Sequence, residues 1–447
     1  MQLKKLTLHY KNYLPILLIG SFSFLINYYY GFIGLMPMDN TVLYNGGYRV
    51  LNGFIPFNDY WLVTGPLLDY LNAFFFKIFG VSWKTFIIHS SLINLLLAVS
   101  TYFLFIKLKL SNKYSLLYSA FVSILFYPVV GTPFVDHHST FFLILAFYSL
   151  ILAINEKNYY YYLAIPTLFS LSFLSKQTPA AYGLILATLS ILLFCYFDKK
   201  NAKKIIYFSI IGSFISIIFL FLFFFSTGID LSNFFTQYLL FASSIGDSRF
   251  LDYKFNIFNE ISNFKYLFYF ILLLTVITFN KILKKNFKTE DIFTILISIL
   301  LVFSLIIHQM LTLNQNYIFF LIPYLCGITH IFYKKSFNKE YLLIFSILVC
   351  IFSVTKYHIR FNEQRKFNEL EKVDISKAID AENLSESLRG LRWITYKYPE
   401  NPTKELENLK NIIKILTEDK SKKTLITDYQ ILAPISGIYD YSPNQWH

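Results

Sequence analysis

Runs of about 20 apolar residues recur along the whole chain, and that repetition fixes the fold class before any motif is considered. A hydrocarbon core of roughly 30 Å needs about that many residues in a helix, and only helices or closed barrels satisfy their own backbone in lipid. Spans are expected at 13–36, 82–106, 114–130, 139–154, 159–174, 179–197, 205–226, 264–280, 291–311, 316–332 and 340–355. A mean hydropathy of +0.49 over 447 residues agrees. The first span is too long for a signal peptide, and no small-residue cleavage site follows it, so it reads as an anchor.

The net charge of +13 argues for topology, not for nucleic acid. Lysines gather in alternate connections: Lys4, Lys5 and Lys11; Lys107, Lys109 and Lys113; Lys157; Lys199, Lys200, Lys203 and Lys204; Lys281, Lys284, Lys285 and Lys288; Lys334, Lys335 and Lys339. The intervening connections hold few. The positive-inside rule then places the amino terminus in the cytoplasm and the carboxyl terminus outside. The expected fold is an α-helical polytopic membrane protein of about eleven transmembrane helices, N-in and C-out, with a small exterior α/β module at the carboxyl end. The domains would be 1–355 and 356–447. Cys195, Cys326 and Cys350 lie in apolar runs without ligand spacing and read as buried thiols.

On this topology the unusual polar residues share the exterior face. The first exterior loop, 37–81, carries Asp39, Arg49, Asp59, Tyr60 and Trp61. Within it Thr41–Asn52 reads as a short helix, and Pro66–Phe79 as an amphipathic helix lying in the interface. The turn 131–138 ends in Asp136-His137-His138, and the turn 175–178 holds Lys176 and Gln177. The connection 227–263, with Arg249, is expected to rest on the membrane, and a further turn falls at 313–316. The tail holds an Asn-capped amphipathic helix beginning at Pro402 and a strand over 424–432. That strand lacks a visible partner before His447, so either the chain is incomplete or another part of the tail pairs with it. The cytoplasmic loops are short and lysine-rich, without a nucleotide-binding pattern.

Three segments over roughly the first 330 residues resemble the polytopic GT-C glycosyltransferases that use polyprenyl-phosphate sugars, in particular the bacterial protein-mannosyltransferase-like and aminoarabinose-transferase-like branch. They are Asp39 with the following Gly-Gly-Tyr-Arg-Val-Leu-Asn-Gly-Phe-Ile-Pro-Phe-Asn-Asp-Tyr-Trp and Thr-Gly-Pro-Leu, then Phe-Leu-Ser-Lys-Gln-Thr at 173–178, and Asn-Tyr-Ile-Phe-Phe-Leu-Ile-Pro at 316–323. Two departures stand out. Asn40 occupies a position where many relatives carry a second acid, and the tail lacks a Trp-Trp-Asp-type motif. The resemblance implies an inverting transferase of a bacterial inner membrane, acting on its exterior face. A sugar would pass from an undecaprenyl- or dolichyl-phosphate donor to a lipid, lipid-linked glycan or protein hydroxyl, with membrane lipids as surroundings.

The resemblance makes Asp39 the general base, against the alternative that it caps a helix. Asp59, with Tyr60 and Trp61, would bind sugar hydroxyls, against a plain turn role. Asp136, His137 and His138 would serve the substrate, against capping and interfacial packing. A divalent metal at Asp136 and His138 is the other reading, and needs a third ligand from Asp39 or Asp59. Lys176, beside Gln177, would hold the lipid phosphate, against snorkelling to the interface. Arg49 and Arg249 are further candidate phosphate ligands, and His308 and Gln309 are candidates to line the same cavity. The rival functions are a flippase for lipid-linked saccharide, which predicts charged groups near the midplane and two related halves, and an O-antigen polymerase or ligase, which keeps its site in a late exterior loop.

Overall fold

The computed structural model describes residues 2–252, 254–284, 288–312, 317–337, 340–419, 421 and 426–438, with the side chains of 2–12, 248–250 and 252 outside the described set. Helices dominate, and each expected span coincides with one. Among the described residues eight stretches are long and apolar enough to cross a membrane unaided. They lie in α1 (Gln2–Tyr30), α4 (Trp83–Lys107), α6 (Val135–Glu156), α8 (Gln177–Phe197), α9 (Lys199–Thr227), α12 with α13 (Ile257–Asn263, Lys265–Leu283), α14 (Thr289–Thr312), and α16 (Tyr341–Tyr357) with the turns after it. The other three expected spans are the shorter helices α5 (Asn112–Leu125), α7 (Tyr160–Ser175) and α15 (Leu321–Lys334). Sixteen residues of α7 rise only about 24 Å, so it relies on its neighbours for cover.

Apolar side chains that would be buried in a water-soluble protein point outward, Phe214, Phe221 and Phe225 of α9 among them. Only 11% of the most apolar window of α9 is buried, which places this helix at the rim of the bundle. Inside, asparagines staple helices together, as expected where apolar burial alone cannot hold helices in lipid. Asn27 of α1 donates to Ser90 (2.9 Å) and Ser91 (3.0 Å) of α4, and Asn94 of α4 donates to the carbonyls of Ser23 (2.8 Å) and Ser123 (3.1 Å).

The first loop folds into α2 (Pro37–Leu51) and α3 (Leu67–Phe79). In α3 the inward face buries Asp69 and Asn72 together with Leu67, Leu68, Ala73 and Phe76, while Phe74, Ile78 and Phe79 are exposed. Apolar side chains left on its outer face suit an interfacial helix with lipid on one side. The 227–263 connection is mostly helical: α10 (Leu231–Phe234), a π-helical turn Phe235–Phe241, and α11 (Ala242–Asp252).

The tail builds a minimal antiparallel pair, β1 (Ile379–Asp380) with β2 (Arg392–Trp393), in the register Ile379 to Trp393 and Asp380 to Arg392. The helix expected from Pro402 forms as α17 (Pro402–Glu418), with the Asn401 side chain accepting from the Lys404 amide. The strand expected over 424–432 does not form in its described part. Residues 426–431 run through bends and turns into α18 (Leu432–Ser436) because α2 takes up their polar groups. Thr41 Oγ1 donates to the Asp428 carbonyl (2.9 Å) and accepts from the Gln430 amide (2.9 Å). Other tail residues bond just ahead of α2: Gly34 N meets Arg392 O at 3.0 Å, and Leu35 N meets Ile394 O at 3.2 Å. The turn at 313–316 lies outside the described residues.

Candidate active site

The chain enters α2 through Met36 in extended conformation and Pro37 at the first helical position, where a missing amide hydrogen costs nothing. The free Met36 amide is taken by the Asn40 side chain (2.8 Å), whose Nδ2 donates onward to Thr132 Oγ1 (2.8 Å). Asn40 therefore closes the helix end and ties it to the 131–134 turn. Asp39, in the first turn, is relieved of capping. Among the described residues no hydrogen bond or ion pair engages its carboxylate. Burial, then the negative charges of Asp136 and Glu369, push that carboxyl up to about 6, against the pull of Lys176.

Asp136 sits in the first turn of α6, buried, with only 2% exposure. Lys176 reaches it from the break between α7 and α8, where Lys176 and Thr178 are both extended and a regular helix resumes at Pro179. The ammonium donates to both carboxylate oxygens, at 2.7 and 2.8 Å, and His308 Nε2 donates to Oδ1 at 2.8 Å. An ammonium carries three hydrogens. With two directed at Asp136, the third remains for a ligand oxygen. Gln177 anchors the same strap by donating to the carbonyls of Val63 (3.0 Å) and Tyr238 (2.6 Å). Gly65 lets the first loop close on it: its amide meets Ser175 O at 3.1 Å, and a Cβ there would lie 1.9 Å from the Leu174 carbonyl.

These groups line one cavity of about 930 Å³, large enough for a sugar-sized ligand. Asp39, Asp136, Lys176 and Gln177 reach it from the sites named in the sequence, joined by Asp247 of α11 and Glu369 of the tail. The other residues singled out in the sequence whose side chains are described lie elsewhere. Asp59 Oδ2 accepts from the Ile55 amide (2.6 Å), a turn bond. Tyr60 donates to the buried Asp69 (2.8 Å), with the Arg49 guanidinium 4.9 Å above its ring, so both face the loop's own interior. Trp61 packs edge-on against Phe241. Arg249 belongs to α11, but its side chain is outside the described set. His308 and Gln309 stand behind the wall instead of lining it: Gln309 accepts from the Tyr317 amide (2.8 Å), and Tyr317 is the lining residue.

The paired histidines diverge on α6. His137 is enclosed by the rings of Phe126, Tyr127, Tyr317 and Phe367. His138 accepts the Tyr127 hydroxyl on Nδ1, and its Nε2 meets His89 Nε2 at 3.0 Å. His89 Nδ1 meets Asn72 Oδ1 (2.7 Å), and Asn72 donates to the Leu43 carbonyl (3.0 Å). Because Asn72 Oδ1 can only accept, His89 donates from Nδ1 and His138 donates from Nε2. This directed chain links α2 and α3 to the start of α6. It also separates His138 from Asp136, whose oxygens are already taken. Among the described residues no three His, Cys, Asp or Glu side chains gather as a metal site requires.

Glu369 and Asp247 were not legible as cavity residues, and His308, expected to line the cavity, is instead a partner of Asp136. Both acids lie in polar segments, and nothing in their spacing points at Asp39. Nothing in the sequence of its apolar helix pairs His308 with Asp136.

No curated protein matches this chain. Residues 63–224, which include Gly65, Asp136, Lys176 and Gln177 but neither Asp39 nor the tail, match the sequence model of the dolichyl-phosphate-mannose-protein mannosyltransferase family.

Proposed function

We propose that this chain is an integral membrane glycosyltransferase that moves a sugar from a polyprenyl-phosphate donor to a hydroxyl of a lipid, lipid-linked glycan or protein. The observation that carries this reading is an uncommitted carboxylate, Asp39, on the wall of the cavity that also holds the Lys176–Asp136 pair. The family match over residues 63–224 supports the donor class. In the reaction Asp39 takes the proton of the acceptor hydroxyl as its oxygen attacks the anomeric carbon. The bond from that carbon to the phosphate oxygen breaks on the opposite face, inverting the centre. Negative charge collects on the departing polyprenyl phosphate, where the third N–H of Lys176 meets it. A positioned base is worth about 10²–10⁴-fold. Asp136 and His308 hold Lys176 in place and so act through it.

The face is read from charge. The ion pairs Lys107–Glu156, Lys157–Glu290 and Lys281–Asp291 belong to the lysine-rich connections, which the positive-inside rule assigns to the cytoplasm. The cavity belongs to the alternate connections and opens outside, in a bacterial inner membrane. The test is transfer of radiolabelled sugar from polyprenyl-phosphate mannose and related donors by protein in nanodiscs. Wild type is expected to release polyprenyl phosphate and glycosylate an added acceptor, and Lys176→Gln is expected to weaken donor use. Absence of transfer or release with every donor contradicts the reading.

A further inference from the structure

Among the described residues the cavity is lined by four carboxylates, Asp39, Asp136, Asp247 and Glu369, and one cation, Lys176. Lys176 is spent largely on Asp136. The remaining wall is therefore acidic, and one of its acids is held there with unusual care. Glu369 follows the last transmembrane helix and sits at φ 62°, ψ 21°, the left-handed region that L-residues with side chains seldom occupy. The turn that puts it there starts at Arg365, also left-handed at φ 48°, and closes with Asn368 N on Arg365 O (2.9 Å) and Glu369 N on Lys366 O (3.0 Å).

Arg365 is 1% exposed, and its guanidinium spans two segments. Nε donates to Ile33 O (3.0 Å), Nη1 to Pro128 O (2.7 Å) and Nη2 to Val130 O (2.9 Å). Ile33 lies four residues before the first residue of Asp39's helix, and Val130 five before that of Asp136's. One buried cation thus fixes the turn bearing Glu369 to the segments that lead to Asp39 and Asp136. Between the two left-handed residues, Phe367 packs edge-on against Phe134 (5.3 Å) and closes the wall. Among the described residues the Glu369 carboxylate has no hydrogen-bond or ion-pair partner, so the turn presents it without using it.

We propose that Glu369 is the acceptor-reading carboxylate of this cavity, and that the acceptor presents hydroxyl or ammonium donors, and no anionic group, beside its reacting hydroxyl. The transferase reading supplies only the fate of the bound molecule; the binding preference stands on the wall itself. A carboxylate accepts from hydroxyls and attracts an ammonium, whereas a second anion placed beside three carboxylates is repelled. The anionic part of the donor belongs at Lys176.

The test uses the full chain in nanodiscs of zwitterionic lipid, with methyl glucoside, methyl glucosaminide and methyl glucuronide as probes, followed by saturation-transfer NMR. Wild type should bind the amine and neutral glycosides about tenfold more tightly than the uronate. Glu369→Gln should shrink that gap to about threefold or less, and Glu369→Lys should invert it. The same order in all three proteins, a wild-type preference for the uronate, or no binding of any glycoside overturns the proposal. Adding a polyprenyl-phosphate sugar separates the two readings. Glu369-dependent binding without transfer sinks the transferase alone. Transfer with an acceptor KM unmoved by Glu369→Gln sinks the acceptor site alone.

Discussion

Replacing Asp39 by Asn should remove activity and stabilise the protein at the same time. The carboxyl has an ordinary value of 3.8 and is pushed up to about 6, first by burial and then by Asp136 and Glu369, with Lys176 opposing. The folded state therefore prefers the protonated acid. The sign follows from linkage: stability from this group is complete below about 3.8 and is lost as pH rises through about 6. A gap of about two pH units corresponds to about 3 kcal/mol at most, and solvent screening of a half-buried group leaves about 1–2 kcal/mol. The position in the first turn of α2 works the other way, since the helix dipole favours an anion by about 0.3–1 kcal/mol. Burial wins. Asn, a neutral isostere, escapes the burial cost. Thermal melting in nanodiscs should show Asp39→Asn more stable than wild type by about 1–2 kcal/mol at pH 8, with the two converging near pH 4. Transfer should fall by about 10²–10⁴-fold, and wild-type kcat/KM should drop tenfold per pH unit below about 6. A variant less stable than wild type at pH 8, or a stability gap independent of pH, would refute the account of an unpaired buried base.

Other perturbations probe the frame around that base. Lys176→Met strands Asp136 with His308 alone and should cost about 3–5 kcal/mol by denaturant titration. Adding Asp136→Asn should restore most of that stability without restoring transfer. Gly65→Ala places a Cβ 1.9 Å from the Leu174 carbonyl, and the strap carrying Lys176 must move. A loss of about 2 kcal/mol or more, with reduced donor affinity, is expected. Glu405 is buried in the tail and accepts from Trp393 (3.0 Å), Thr395 (2.8 Å) and Tyr429 (2.5 Å). Glu405→Ala orphans three donors, and should cost about 2–4 kcal/mol and open residues 426–431 to limited proteolysis.

What the sequence disclosed follows from the range of the forces involved. The spans were legible because crossing a bilayer demands a local pattern, long and apolar, that owes nothing to distant partners. So were α3, from the spacing of its apolar residues, and α17, from Asn401 and its amphipathic repeat. The meeting of Asp39, Asp136 and Lys176 could be anticipated because the charge pattern put three separate turns at one end of the bundle. The fate of Arg49 could not. It looks like a free exterior cation, but its guanidinium lies over Tyr60 in the interior of its own loop. Residues 424–432 carry strand propensity, yet in the described part Thr41 claims the backbone of Asp428 and Gln430. Asn40 reads as a lost acid, and in the fold it is the group that closes the helix and leaves its neighbour unengaged. The contacts of Asn40 with Thr132 and of Thr41 with Asp428 join residues 92 and 387 apart, and the Arg49–Tyr60 contact depends on how the loop folds back on itself, none of which local spacing encodes.

The central claim is that an uncommitted Asp39 deprotonates an acceptor while Lys176 holds a lipid phosphate. The most direct measurement is single-turnover transfer from a radiolabelled polyprenyl-phosphate sugar, comparing wild type with Asp39→Asn while donor binding is followed separately. The account predicts transfer by wild type and a loss of about 10²-fold or more in the variant, with donor binding unchanged because Asp39 touches the acceptor alone. Undiminished transfer by the variant, or wild-type protein that binds donor and never transfers its sugar, would contradict it.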